Sequence, residues 1–328
     1  MHNRVHQDMR SMASMALTPK ITVAVCTRNH AAELGRLLPS LSKMQKPAGL
    51  DWELLVIDNG STDGTQQVLA EFAEDLPLRV VVEAKAGLSQ ARNAAVTAAR
   101  GDYIVWTDDD TTVDEQWLLA YLRAILEHPQ VAIFGGAIEP VLVEPTPHWF
   151  TQARMQLAAV LVACNPSDYP ADISKDDRQL PMGANFAVRT NELRRFSFDV
   201  NLGKAPGRER GGEETKVLAA ILTEGAKGRW VPDARVSHWI PASRQTLPYV
   251  SKFYQAAGDL IAYQSDVGAG GALVLGGSLV KGPVHYICYM LTRFVCAPPV
   301  WLHFYKMFSA HVGVVRYFLS REKGARPA

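Results

Sequence analysis

The sequence predicts an α/β protein with a mostly parallel central sheet and additional C-terminal helices. Three observations carry that prediction. Short apolar, β-branched runs alternate with stretches of helical spacing from Lys20 to Asp110, and such alternation with short loops builds a parallel sheet covered on both faces. Polar residues gather where these strands end, the edge at which open α/β sheets bind ligands. After Ile240 the alternation stops and long apolar, aromatic and basic stretches take over. With 328 residues and 48% hydrophobic content, the chain can bury a sizeable core.

The elements follow in order. Residues 1–19 are polar and Met-rich, lack a long apolar run and read as a flexible tail rather than a signal peptide. Ile21–Thr27 is the first strand. Ala31 to Met44 is helical, because Leu34, Leu37, Leu38 and Leu41 share one face. Trp52–Asp58 is the next strand, Asp63–Phe72 a helix, Leu78–Val82 a strand and Gly87–Ala99 a helix. Tyr103–Trp106 is a short buried strand that runs into Asp108, Asp109 and Asp110, with Asp114 placed to cap the following helix. Trp149 and Phe150 open a helix to Cys164, and Asn165–Gln179 reads as mobile. Glu213–Leu222 is a helix with Val217, Leu218, Ile221 and Leu222 inward, and Tyr249–Gln264 is another. Gly268–Gly277 reads as a turn region. The expected domains are residues 20–245, with halves 20–112 and 113–245, and a C-terminal region 246–328.

The strand ends carry the chemistry. Three adjacent carboxylates repel one another unless a cation sits between them, and a hard divalent ion takes oxygen ligands. Asp58 closes a buried strand and should face the same crevice, where a carboxylate can accept an N–H from a nucleobase. Asn59-Gly60 is also consistent with a plain turn, and Ser61 or Asp63 with a helix cap. Arg92 and Asn93 are unusual on a small, apolar helix, although Arg92 alone reads equally as a surface arginine. Glu213 and Glu214 begin a helix, where the dipole favours acids in any case. The loop Gly203–Gly212, with Lys204, Arg208 and Arg210, reads as solvated, and ordering around a diphosphate is the alternative. Trp149 reads either as a sugar-stacking platform or as core.

Several classes are excluded or disfavoured. The net charge is +1, which gives no global case for nucleic-acid binding. Cys26, Cys164, Cys288 and Cys296 show no CxxC spacing, so free thiols in a reducing compartment are expected. Neither GxGxxG nor GxxxxGK[ST] occurs, so a metal held by carboxylates must serve the phosphates.

ITVAVCTRN, LLVIDNGSTDGT, AGLSQARNAA and GDYIVWTDDD, in that order and spacing, resemble the nucleotide-sugar half of family 2 glycosyltransferases, which have the GT-A fold. The resemblance continues through Pro181–Val188, Gly211–Thr215 and Val231–His238, and so covers roughly residues 20 to 245. It is nearest to a bacterial, non-processive type, since no Gln-x-x-Arg-Trp occurs. It implies an inverting, hexosyl-type transferase in cell-surface polysaccharide synthesis. Asp58 would pair with the base of the nucleotide, with Thr27 and Arg28 lining that pocket. Arg92 and Asp108 would approach the donor. Asp108 and Asp110, as the outer acids of a DxD motif, would hold Mn²⁺ or Mg²⁺ with His238. Glu214 matches the catalytic base, and Glu213 would orient it or hold an acceptor hydroxyl. The implied donor is a UDP-, dTDP- or GDP-sugar, and the acceptor a glycan or a lipid-linked glycan. A sugar nucleotidyltransferase and a catalytically silent sugar-nucleotide or glycan-binding protein are the alternatives.

Residues 279–319 are apolar and aromatic, but Lys281, Pro283, Arg293, Pro298, Pro299 and Lys306 interrupt any clean span. Peripheral membrane contact, packing on the catalytic domain and a dimer interface all stay open for this region. The expected location is the cytoplasm, with the cytoplasmic face of the inner membrane as the alternative.

Overall fold

The computed structural model describes residues 19–175, 180–267 and 270–322. The chain divides into two compact units. One comprises residues up to Pro140, Val162–Asp199 and Glu213–Trp239. The other comprises Val141–Leu161, Val200–Gly212 and the chain from Ile240 onward.

In the first unit, strands β1 (Ile21–Thr27), β2 (Trp52–Asp58), β3 (Leu78–Val82) and β4 (Tyr103–Thr107) alternate with helices α1 (Ala31–Lys43), α2 (Thr65–Glu71) and α3 (Leu88–Ala98). These strands are parallel to one another, in the order β3-β2-β1-β4. Their register sets Thr27 beside Asp58 and Ala24 beside Trp106, so the carboxyl ends of β1, β2 and β4 meet at one edge. Successive side chains point to opposite faces of a strand. Val23, Val25, Leu54 and Val56 therefore pack with Leu34, Leu37, Leu38 and Leu41 of α1. Ala24, Leu55, Ile57 and Ile104 pack with Ala91, Ala95 and Val96 of α3.

Beyond β4 the sheet becomes antiparallel. It continues through β8 (Asn185–Arg189), β6 (Val131–Leu142), β9 (Lys227–Ile240) and β5 (Thr111–Val113), with β7 (Ala171–Ile173) also on β9. This is an α/β fold whose mixed, mostly parallel central sheet agrees with the expectation. Helix α4 spans Trp117–Glu127, α6 Thr190–Arg195 and α7 Glu213–Thr223.

Local expectations differ in five places. The short strand β5 intervenes before α4, so the cap of that helix is Gln116. Asp114 instead accepts the Gln116 N–H at 2.8 Å and tightens the turn before it. Trp149–Cys164 is not one helix. It is α5 (His148–Gln152) followed by a 3₁₀ turn, Arg154–Leu157. Within the stretch expected to be mobile, Ala171–Ile173 is β7, while residues 176–179 lie outside the described residues. The expected tail likewise lies outside them as far as residue 18.

The second unit contains α5 and three long helices: α8 (Leu247–Val267), α9 (Gly271–Thr292) and α10 (Pro298–Glu322). The fourth difference lies here, since most of the expected turn region 268–277 is the start of α9 and residues 268–269 are not described. Gly258 and Gly313 let α8 and α10 approach closely, because a Cβ at either would overlap the facing backbone. Trp149 packs on Phe150 and Trp301, with ring centroids 5.3 and 5.7 Å apart. The loop before α7 is not solvated as expected. Arg210 is buried, pairs with Asp259 at 2.6 Å and stacks on Tyr263, while Arg208 donates to the carbonyls of Val200, Leu202 and Gly203. Lys204 alone of the three is exposed. No helix among the described residues is long and apolar enough to cross a membrane.

Candidate active site

The site residues implied by the resemblance all lie on the first unit, with Thr27, Asp58 and the three aspartates at or just past the carboxyl ends of β1, β2 and β4. Three loops are tied together there. Asn29, with φ 55, accepts the Thr62 N–H at 2.7 Å, and its own N–H donates to Ser61 at 3.0 Å. Asn59 is buried, donates to the carbonyls of Glu83 and Lys85, and accepts the Gly87 N–H at 2.7 Å. Gly60 and Gly87 have positive φ, at 76 and 145, conformations that glycine adopts without penalty. Asn59-Gly60 is thus a turn and also a bridge between loops.

Asp58 is buried. One of its oxygens accepts the Ser61 N–H at 2.8 Å and the other accepts from Gln66. Thr27 is buried and its hydroxyl has no hydrogen-bond partner among the described residues, whereas Arg28 is exposed.

The three aspartates face different partners. Asp109 meets His30, with Nδ1 to Oδ2 at 2.8 Å. Burial raises the Asp109 carboxyl, against the pull of His30, while the bond to Asp109 raises the His30 imidazole. Asp110 meets His238, with Nε2 to Oδ2 at 3.3 Å. The pairing of β5 with β9 makes that contact, since it places Thr111 opposite His238. Asp108 turns toward Arg92, with Oδ1 to Nη2 at 3.9 Å. The Asp108 side chain is 40% exposed, yet its carboxyl is crowded by protein atoms. Burial, then repulsion from Asp110 and Asp109, pushes it up to about 6 against the pull of Arg92.

Arg92 is the hub. The sequence allowed a surface arginine at this position, but its side chain is only 3% exposed. Its Nη1 donates to Glu213 Oε1 at 2.5 Å and to Glu214 Oε2 at 3.4 Å. Burial works against its charge, but Glu213, Glu214 and Asp108 more than offset that and hold it firmly protonated. Glu213 is 3% exposed, and its Oε2 has no hydrogen-bond partner among the described residues. Burial and the adjacent Glu214 push Glu213 up to about 8, with Arg92 pulling the other way. One arginine cannot neutralise both glutamates and Asp108, so the glutamate pair holds a proton near neutrality. Glu214 is the more open of the two, 18% exposed, and also accepts the Gly183 N–H at 3.3 Å.

Sequence reasoning gave no role to Gly183, Asn185 or His30. A Cβ on Gly183 would strike the Arg92 guanidinium. Asn185 is fully buried, accepts from Trp117 and Tyr121, and donates to the carbonyls of Ala137 and Ala234. A lone asparagine in an apolar strand, and a glycine two residues before it, were the available signals. Asn93 is a latch, with its side chain bracketing the Phe198 backbone at 2.8 and 2.9 Å.

Among the described residues, no three His, Cys, Asp or Glu side chains form a ready-made metal cage. The Asp110–His238 pair nevertheless fits one ion. Two adjacent ligands about 2.1 Å from an octahedral ion stand about 3 Å apart, close to the 3.3 Å between these atoms. A hard ion of this kind is bound through one or two carboxylates, with substrate phosphates and water completing its shell. The raised Asp108 carboxyl is in keeping with a cluster short of positive charge.

The chain matches the family described as glycosyl transferase family 2 over residues 22–202. It is similar to the succinoglycan biosynthesis protein ExoM of Rhizobium meliloti (strain 1021), 25% identical over 252 residues, which is 72% of each chain. It is also 31% identical over 111 residues to the poly(ribitol-phosphate) beta-N-acetylglucosaminyltransferase TarS of Staphylococcus aureus (strain Mu50), a match covering 33% of this chain and only 19% of TarS. Among solved structures, the mannosyltransferase PcManGT from Pyrobaculum calidifontis, in complex with GDP-Man and Mn²⁺, superposes with TM-score 0.58 at 16% identity, over 98% of this chain and 94% of that one. An S. aureus TarS fragment in complex with UDP-GlcNAc gives 0.53 at 16% identity, over 94% and 93%. These structural likenesses establish the fold, which is GT-A. The family match displaces a nucleotidyltransferase or a silent binding protein as readings of the site. The chain belongs to glycosyl transferase family 2 and is a glycosyltransferase.

Proposed function

We propose that this enzyme is a metal-dependent, inverting glycosyltransferase of surface polysaccharide synthesis, moving a hexosyl-type sugar from a nucleoside-diphosphate donor to a glycan or lipid-linked acceptor. The observation that carries the reading is the Arg92 cluster, which ties the Glu213–Glu214 pair on α7 to Asp108 at the end of β4. A candidate base and a candidate donor-binding acid are thereby held around one cation.

In this reading Asp58 and Thr27 line the base and ribose pocket, and Arg28, exposed beside them, meets the outer part of the nucleotide. Asp110 and His238, with Asp108 beside them, hold the divalent ion, Mn²⁺ or Mg²⁺. Such an ion would neutralise charge on the departing diphosphate. Glu214 takes the proton of the acceptor hydroxyl as its oxygen attacks the anomeric carbon. The new C–O bond forms on the face opposite the breaking bond to phosphate, the configuration inverts, and the nucleoside diphosphate leaves with the bonding pair. Glu213, held by Arg92, keeps Glu214 oriented.

The similarity to ExoM and TarS supports a surface polymer as the product. The complexes of PcManGT with GDP-Man and Mn²⁺, and of TarS with UDP-GlcNAc, support a nucleotide-sugar donor. The test is thermal stabilisation by UDP, dTDP and GDP, each with and without Mn²⁺ or Mg²⁺. Occupancy at 100 times Kd adds about 2.7 kcal/mol. A shift with one nucleotide, and only with metal, is the expected result. An equal shift without metal would remove the metal from the mechanism.

A further inference from the structure

The solvent-facing side of α9 is its apolar side. Leu273, Val280, Val284, Ile287 and Leu291 recur at intervals of seven, four, three and four residues, which places them on one face. They are 84%, 70%, 54%, 56% and 70% exposed. Gly271, Ser278, Gly282 and Tyr289, on the opposite face, are the buried ones. Phe294 and Val295 prolong the exposed strip past the helix end, at 79% and 81%. This inverts the usual surface helix, whose apolar stripe faces the core. A continuous exposed apolar strip marks a surface that is covered in use.

Charge indicates the covering. From Gly268 to Arg321 the sequence contains no Asp or Glu, but it contains Lys281, Arg293, Lys306, Arg316 and Arg321. Within the second unit, Lys306 donates to the Gln156 carbonyl, Arg316 to Gln255, and Arg321 pairs with Asp266. Lys281 and Arg293 are exposed on α9 and just past it, and neither pairs with an acid among the described residues. Arg293 lies over the rings of Tyr289 and Phe294. A second copy of this chain set against the strip would bring like charges together with no acid to answer them. A bilayer with anionic headgroups answers both the strip and the cations.

We propose that α9 docks the protein on an anionic membrane surface. The helix lies in the interface with Leu273, Val280, Val284, Ile287 and Leu291 toward the acyl chains and Lys281 and Arg293 among the headgroups. It does not cross the bilayer. The inference stands independently of the donor and base assignments above, and it suits an acceptor that is itself lipid-linked.

The test is sedimentation of the full-length protein with phosphatidylcholine vesicles and with phosphatidylcholine–phosphatidylglycerol vesicles. Binding to the anionic vesicles is expected to be roughly tenfold or more stronger and to weaken with salt. The Ile287→Glu/Leu291→Glu variant should lose that binding while keeping its thermal midpoint and nucleotide binding, because both side chains are exposed. The Lys281→Gln/Arg293→Gln variant should lose the preference for anionic lipid. No sedimentation with either vesicle overturns the proposal, and a dimer in light scattering that the double Glu variant dissociates would assign the strip to a second copy. Equal binding to neutral and anionic vesicles overturns the electrostatic half of the inference.

Discussion

Arg92 and Glu213 are 121 residues apart in the chain and 2.5 Å apart in the fold, both almost wholly shielded from water. Breaking a buried ion pair by removing one partner costs about 3–5 kcal/mol, because the other charge stays buried alone. Arg92→Met should therefore lower stability by about that much in urea denaturation above about pH 8, where Glu213 is ionised. Arg92→Met combined with Glu213→Leu should recover most of the loss. Additive losses in the double variant would show that the two residues act separately.

The same pair predicts a pH dependence. Burial and Glu214 hold the Glu213 carboxyl at about 8, above its ordinary 4.5. Between those values the folded chain keeps a proton that the unfolded chain has lost. Stability should fall as pH rises through that window and level off above about 8. Glu213→Gln, which cannot titrate, should flatten the slope. Urea midpoints of both proteins across the window check this, and parallel curves would assign the titration elsewhere.

Glu214→Gln is expected to bind donor normally and to lose transfer. General-base catalysis contributes roughly 10²–10⁴-fold, and the drop should appear in kcat with little change in donor affinity. Full activity in the variant would move the base role to Glu213.

Asp110→Asn and His238→Ala should each weaken the dependence of nucleotide binding on Mn²⁺ or Mg²⁺. The double variant should lose that dependence. Calorimetric titration of nucleotide with and without metal reads this directly. An unchanged metal dependence in the double variant would move the ion to Asp108 or to the phosphates alone.

Asn185→Leu removes all four side-chain hydrogen bonds that join β8 to Trp117, Tyr121, Ala137 and Ala234. Each buried partner left unpaired costs about 1–3 kcal/mol. A large loss of stability in urea, without a selective loss of donor affinity, is the expected result.

The bounds of β1, β2 and β3 match the expected ones residue for residue. Each is a short apolar run between polar loops, and local alternation is enough to define it. The break in Trp149–Cys164 and the short strand β5 were not legible. Three residues of β5 carry no periodic signal, and the strand exists because β9 offers it a partner. Arg210 was read as solvated because nothing within its loop pairs with it. Asp259, its partner, lies 49 residues away on α8.

Sequence alone determined the α/β alternation, the acids at the strand ends, the family resemblance and the acid-free C-terminal stretch. Each of these is a local pattern or a composition, readable without knowing what packs against it. Only the tertiary structure decided that Arg92 is buried, that Glu213 is driven up to about 8, and that His238 faces Asp110. The same holds for the solvent-facing apolar side of α9. Burial, pairing and desolvation arise between residues distant in the chain, and they exist only once the packing brings those residues together.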